Sequence, residues 1–406
     1  MAATDIEDRV TARISESEEQ ITDLTCRLIA VQTENPPGRC YGECVELLGN
    51  ELTVLGLPYE LIQLPDDQDS QQYAVVSGFG SGPTMYLHGH YDVVPASRPD
   101  QFQPIVRGGR IVGRGASDMK GGIAAMLYAL KALEPERLPG RVELVLVPDE
   151  ETGGRRGSGF LARSARLGKN GVGALIGEPT SGAVWNGSRG AITLRVRLAG
   201  KPAHVGLQHE GRNAFEQALP ILVALQELKA EVEQRRTAFA VEPEAARHSI
   251  LMLGGEVVGG HQFNVVPEHF SFTVERRINP EEDIAAEKTA LFETIDRAKP
   301  EGVGAQVEVI QEGASSATAA GSALGRVLAA AVGEVTGAEP AFELCPGLLE
   351  TRFYGAAGVP ALAYGPGVLS VSHGPEEYVE VHRLVDCANI YGLTALRLLL
   401  DAAGRA

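Results

Sequence analysis

The chain has 406 residues, 44% of them hydrophobic, which is enough for a sizeable core and suggests two or three domains rather than one. Lys and Arg number 36 against 53 Asp and Glu, a formal net charge of −17. So acidic a chain repels phosphate backbones, which argues against nucleic acid as a partner.

Five cysteines at irregular spacing (Cys26, Cys40, Cys44, Cys345, Cys387) suit reduced thiols better than a disulfide framework. Residues 1–20 are acidic and polar, without the basic end and apolar run of a signal peptide. No apolar stretch has the length of a bilayer span. A soluble, cytoplasmic protein with no membrane partner is expected.

In chain order, residues 5–31 carry Ile21, Leu24, Leu28 and Ile29 at helical spacing, and Asn35-Pro36-Pro37-Gly38 ends that helix. A second helix is expected over 44–55, then strands over 74–78 and 84–87. The second strand opens into His88-Gly89-His90-Tyr91-Asp92-Val93-Val94-Pro95. A strand end holding His and Asp is a poor core and a good place for a metal, since imidazole and carboxylate both suit a borderline cation.

Next comes Gly113-Arg114-Gly115-Ala116-Ser117-Asp118-Met119-Lys120-Gly121-Gly122, before an apolar helix over 123–133. Such a loop can cradle phosphate, but the P-loop pattern is absent. The better reading is a tight turn that points Asp118 into a site. The apolar strand 141–147 ends in Asp149-Glu150-Glu151-Thr152-Gly153-Gly154, and 172–176 ends in Gly177-Glu178-Pro179-Thr180. Adjacent carboxylates at a buried strand end repel one another unless a cation neutralises them. Strands alternating with helices imply a largely parallel sheet, whose ligand groups gather at the strands' carboxyl ends.

From about residue 183 the order becomes β-α-β-β-α-β, that of a ferredoxin-like sandwich. The expected organisation is a two-domain α/β protein: a catalytic domain over 1–182 and 314–406, with an inserted α+β lid or dimerisation domain over 183–313.

Taken in order, these stretches and Ser372-His373-Gly374-Pro375-Glu376-Glu377 resemble the co-catalytic zinc family of acetylornithine deacetylase, succinyl-diaminopimelate desuccinylase, aminoacylase and glutamate carboxypeptidase. The resemblance spans nearly the whole chain. It implies two divalent metal ions, most simply Zn2+, with Co2+ or Mn2+ tolerated by the same ligands. It implies that Asp118 bridges both metals, that His90 pairs with Glu178, and that His373 pairs with Glu151. Asp92 would orient His90. Residue types alone do not choose between Glu150 and Glu151; the resemblance makes Glu150 the general base. It also implies a cis peptide at Asp118–Met119. Glu350-Thr351-Arg352 departs from the family, where an Asp-Ala-Arg or similar triplet is common, and this departure bears on substrate preference.

The implied chemistry is amide hydrolysis. Two metals lower the pKa of a shared water, and Glu150 takes its proton and returns it to the leaving amine. His204, from the inserted domain, donates to the oxyanion. Asn264 and Arg277, with backbone donors at Gly365 and Gly367, resemble groups that hold a substrate carboxylate.

A deacylase of N-acyl amino acids or related small amides is the leading expectation. A carboxypeptidase or dipeptidase is the alternative, and an inactive binding protein the least favoured, since no ligand or base is missing. Family members commonly dimerise through the inserted domain, so a homodimer is expected. His88 is read as packed under the sheet and Trp185 as core.

Overall fold

The computed structural model describes residues 3–65 and 72–404. The chain clusters into two compact units, Met1–Asn186 with Ala317–Glu343 and Glu350–Ala406, and Gly187–Ser316 with Leu344–Leu349. The expected boundaries at 182/183 and 313/314 fall a few residues early. The strand Val184–Ser188 still belongs to the large sheet of the first unit, and the segment Leu344–Leu349 groups with the second.

In the first unit the strands run in the order Tyr59–Gln63, Tyr73–Gly80, Arg141–Val147, Thr84–His90, Gly171–Ile176, Ala361–Ala363, Val184–Ser188, Ser316–Ala317. The middle is parallel: Thr84–His90 pairs in that sense with both Arg141–Val147 and Gly171–Ile176, and the latter with Ala361–Ala363. These are the apolar runs that end in His or carboxylate. They are buried on both faces, so they read as continuous hydrophobic stretches rather than alternating ones.

The helix Gly121–Leu133 is buried along almost its whole length and packs against Val381–Gly404. Truncating one of its core side chains, as in Leu130→Ala, is expected to cost about 2–5 kcal/mol.

The expected helix over 5–31 is two helices, Ala3–Ser15 and Glu18–Ala30. Ser17 lies at the break, and its hydroxyl donates back to the Arg13 carbonyl at 2.8 Å, a local bond that competes with helix continuation. Several strands escaped the sequence reading, among them Tyr59–Gln63, Ile105–Arg107 and Arg110–Val112 in the first half of the chain and the buried Val184–Ser188. The first three are mostly exposed, so none of them carries the alternation that marks a half-buried strand.

The second unit holds a sheet in the order Ile250–Gly259, His269–Ile278, Gly190–Ala199, Ala305–Gly313, every neighbouring pair antiparallel. Its helices are Ala214–Val232 and Ile284–Ala298. In chain order the strands stand 4-1-3-2, the ferredoxin-like arrangement that the β-α-β-β-α-β order predicts. Its own core is built on Ile192, Leu194, Val196, Leu225, Phe272 and Val274. No helix among the described residues is long and apolar enough to cross a membrane.

Candidate metal centre

Strand order places the candidate residues. Thr84–His90 lies between Arg141–Val147 and Gly171–Ile176, with His90 opposite Val147 and His88 opposite Ile176. His90 therefore ends the central strand, Glu150 and Glu151 follow the neighbour on one side, and Glu178 follows the neighbour on the other. Asp118 lies on the loop before the helix Gly121–Leu133, and its peptide to Met119 is cis, as the resemblance implies. His373 lies in a turn at φ +64, a left-handed conformation uncommon outside glycine.

Two groups of ligand atoms form, His90–Asp118–Glu178 and Asp118–Glu151–His373, each with its atoms within 4.8 Å of one another. Asp118 belongs to both. Its Oδ1 lies 3.1 Å from His90 Nε2 and its Oδ2 lies 3.2 Å from His373 Nε2. Glu178 Oε1 is 3.8 Å from His90 Nε2, and Glu151 Oε1 is 3.4 Å from His373 Nε2.

The electrostatics are those of a cation site. Three carboxylates face two imidazoles. Burial pushes the Glu178 carboxyl up to about 8, with the charge of Asp118 adding to it. Burial also raises Asp118, but hydrogen bonds from His373 and His90 outweigh it and hold that carboxyl well below the usual range. His373 is raised to about 10 by its hydrogen bonds to Asp118 and Glu151. Burial lowers His90, yet its bonds to Asp118 and Asp92 win and raise it well above the ordinary value.

The fit to a metal has an independent sign. Glu178 Oε1 is buried and has no hydrogen-bond partner among the described residues. Leaving a buried carboxylate oxygen unpaired costs free energy that coordination would recover.

The Glu150 carboxyl is pushed well above its ordinary value by burial first, then by the charge of Glu178. Glu150 belongs to neither ligand group. Asp92 does more than sit beside His90. His90 Nδ1 lies 3.0 Å from the Asp92 carbonyl and 3.3 Å from its Oδ1. The same carboxylate accepts the backbone N–H of Glu150 at 3.2 Å and of Glu151 at 3.1 Å, and an amide N–H of Asn35 at 2.8 Å. Asp92 thereby ties the His90 strand to the loop of Glu150 and Glu151.

Sequence reasoning missed several supports. Glu377 is buried, and its Oε1 accepts the backbone N–H groups of Gly115, Ser117 and Asp118, each at 3.0 Å. Its Oε2 accepts from Arg114 Nη1 at 2.5 Å, while Arg114 Nη2 donates to the His373 carbonyl at 3.1 Å. The pair locks the Asp118 loop to the His373 turn. Lys120, in the same loop, is buried and donates to the carbonyls of Leu28 and Val31 at 2.8 and 2.7 Å, closing the end of helix Glu18–Ala30. Burial lowers it to about 8. Glu377 stood in the quoted His373 motif, but nothing in that stretch pointed to the Asp118 loop, 259 residues away.

In the second unit, His204 is exposed and pairs in a bridge with Val265, while Val205 donates to the Asn264 carbonyl at 2.9 Å. The fold thus brings His204 and Asn264 together. Arg277 lies apart from them in sequence, on the strand His269–Ile278, in an ion pair with Glu275 at 2.7 Å. Gly365 and Gly367 have a packing role in the first unit. A Cβ on Gly365 would meet the Glu178 and Gly177 carbonyl oxygens at 2.4 Å, and one on Gly367 would meet the Ser117 carbonyl at 2.3 Å. The Gly365 N–H is engaged by Thr180 Oγ1 at 3.3 Å. His88 and Trp185 are buried, and His88 is in neither ligand group.

Imidazoles and carboxylates gathered about one shared aspartate at the carboxyl edge of an α/β sheet suit a metal-dependent hydrolase. The chain belongs to peptidase family M20/M25/M40, which residues 86–397 match. It is 30% identical over 397 residues to a succinyl-diaminopimelate desuccinylase of Stenotrophomonas maltophilia, covering 94% of this chain and 99% of that one. It is 30% identical over 324 residues to an acetylornithine deacetylase of Myxococcus xanthus, covering 77% and 80%. Among solved structures, an M20 family metallo-carboxypeptidase of Sulfolobus solfataricus shares its fold, with a TM-score of 0.78 at 17% identity over 94% of this chain and 99% of that one.

Proposed function

We propose that the protein removes the acyl group from N-acyl amino acids or related small amides, with Glu150 as general base. The observation that carries this reading is Asp118, which turns one carboxylate oxygen to each of two histidines. His90, Asp118 and Glu178 would hold one divalent cation, and Asp118, Glu151 and His373 the other. Zn2+ suits such nitrogen and oxygen ligands best, with Co2+ or Mn2+ as substitutes. When bound, the cations lower the pKa of water towards neutrality and draw charge from the scissile carbonyl.

The remaining work falls to the chain. Glu150 takes the proton from water and returns it to the leaving amine nitrogen. His204 donates to the oxygen that gains charge. Its Nδ1 accepts the Gly206 N–H at 3.1 Å, which leaves Nε2 as the ring's donor. Asn264 and Arg277 are the groups proposed for the substrate carboxylate. The desuccinylase and the deacetylase named above support an acylated amino group as substrate. Metal-loaded enzyme assayed on N-acyl amino acids and on dipeptides tests the reading. Turnover confined to dipeptides would replace deacylation with peptidase action.

A homodimer in the cytoplasm completes the proposal, with His204 reaching the neighbour's site. Two features of the second unit support it. Ile250–Gly259 is an edge strand exposing Met252, Val257 and Val258, and helix Ala214–Val232 exposes Phe215, Leu219 and Val223 one turn apart. Unpaired apolar edges invite pairing with a symmetry mate. Glu150→Gln and His204→Ala enzymes, each nearly dead alone, are mixed, unfolded and refolded together. About a quarter of normal activity returns if His204 acts across the dimer, by random two-fold pairing. Hybrids without activity place His204 within its own chain or outside the reaction.

A further inference from the structure

The strand Thr84–His90 carries a second histidine two residues before His90, and the period of a strand turns both to the same face. His88 is wholly buried, in a cluster that the hydrolytic scheme leaves unused. Its Nε2 lies 2.5 Å from Glu350 Oε2 and 3.1 Å from Ser158 Oγ, and its Nδ1 lies 3.0 Å from the Tyr354 hydroxyl. Ser158 Oγ donates to Glu350 Oε1 at 2.5 Å.

One proton arrangement satisfies every group. Tyr354 donates to Nδ1, the Nε2–H donates to one oxygen of Glu350, and Ser158 donates to the other. The cluster then carries a single negative charge, on Glu350. Glu350, His88 and Ser158 are all 0% exposed, so neither the serine nor the histidine can meet a substrate.

Residues 350–353 press on the loop that carries Glu150. Arg352 Nη2 donates to the Gly153 carbonyl at 2.6 Å. A Cβ on Gly154 would come within 3.1 Å of both Glu350 Oε1 and the Phe353 ring, and the residue stands at φ +63, so glycine suits this close approach. Ser158, bonded to Glu350, begins the helix that follows the loop. The loop is therefore gripped at Gly153 by Arg352 and at Ser158 by Glu350, while Asp92 holds its start at Glu150 and Glu151.

We infer that Glu350 and Arg352 are positioning residues for hydrolysis, a strut braced on His88 and Tyr354 that fixes the Glu150 carboxylate against the reacting atoms. The departure from the family triplet at Glu350 thus concerns the brace under the base and not the recognition of substrate. This rests on the reading of Glu150 as the base.

The test uses the full-length, metal-loaded enzyme with one amide substrate it turns over. Glu350→Gln keeps the length and loses the charge that His88 and Ser158 both address. Its kcat is expected to fall about a hundredfold, the cost of a misplacement near 1 Å, with KM and metal content unchanged. Hydrogen exchange at the amides of residues 150–154 should quicken. Glu350→Asp, which keeps the charge, should restore part of the kcat.

Should Glu350→Gln fail to fold, Ser158→Ala and Arg352→Lys each loosen one grip. Each should lower kcat about tenfold at constant KM, a partial form of the same misplacement. An unchanged kcat overturns the inference. So does a rise in KM with kcat kept, which would mean contact with substrate, or metal loss in step with kcat. Glu150→Gln is assayed alongside. If it stays active, the reading of the base fails and the strut falls with it; if it is dead while Glu350→Gln is not, the strut alone fails.

Discussion

The two ligand groups share Asp118 but differ in how they are built. His90 belongs to the central strand, its side chain 1% exposed, and Glu178 beside it is 7% exposed. His373 belongs to a left-handed turn and its side chain is 49% exposed. A strand end inside a parallel sheet leaves little freedom, because ladder bonds on both sides fix its backbone. The turn owes its place to the side chains of Arg114 and Glu377 instead. The first group is a rigid seat and the second an open one. Solvent, substrate and chelators should all arrive from the His373 side.

The largest effect should come from the ligand the two seats share. Asp118→Ala should lose both cations and all activity, read by metal analysis and turnover. One equivalent of metal retained would mean that the seats are independent. Next comes Glu150→Gln, expected to lower kcat by about a hundredfold or more while both cations stay. Loss of metal on this change would exchange the roles of Glu150 and Glu151.

The asymmetry itself predicts the order of release. A chelator should remove one equivalent quickly and the second slowly, followed by visible absorption of the Co2+ enzyme. His373→Ala should abolish the quick phase and leave the slow one. If it is the slow phase that disappears, the exposed seat is the tighter and the comparison is reversed. The smallest effect is expected from Asp92→Asn, which keeps the hydrogen bonds in part and weakens the orientation of His90. It should lower metal affinity about tenfold to a hundredfold, more in the slow phase than in the quick one, because the same carboxylate also holds the Glu151 backbone. An equal change in both phases would make Asp92 a support of the whole loop rather than of the His90 seat.

Much of this was legible in the chain itself. The parallel core, the β-α-β-β-α-β insertion and the stretches around His90, Asp118, Glu150, Glu178 and His373 could all be located. Each stretch is local: an apolar run a few residues long, then His or carboxylate, then glycine or proline to turn the chain. Period and punctuation of that kind survive in one dimension. The weakly buried strands Tyr59–Gln63, Ile105–Arg107 and Arg110–Val112 lacked the period and went unseen.

What only the tertiary structure decided is how those stretches are held. The carboxylate of Asp92 is bonded to Asn35, Glu377 to the Asp118 loop, Lys120 to the end of helix Glu18–Ala30, and Glu350 to His88. The partners lie 57, 259, 89 and 262 residues apart. Nothing in the neighbourhood of Glu377 or Glu350 announces these bonds, because a buried carboxylate takes whatever donors the fold brings to it. The residue types that do the chemistry were therefore set by local pattern, and their distances by long-range hydrogen bonds that exist only once the sheet has assembled.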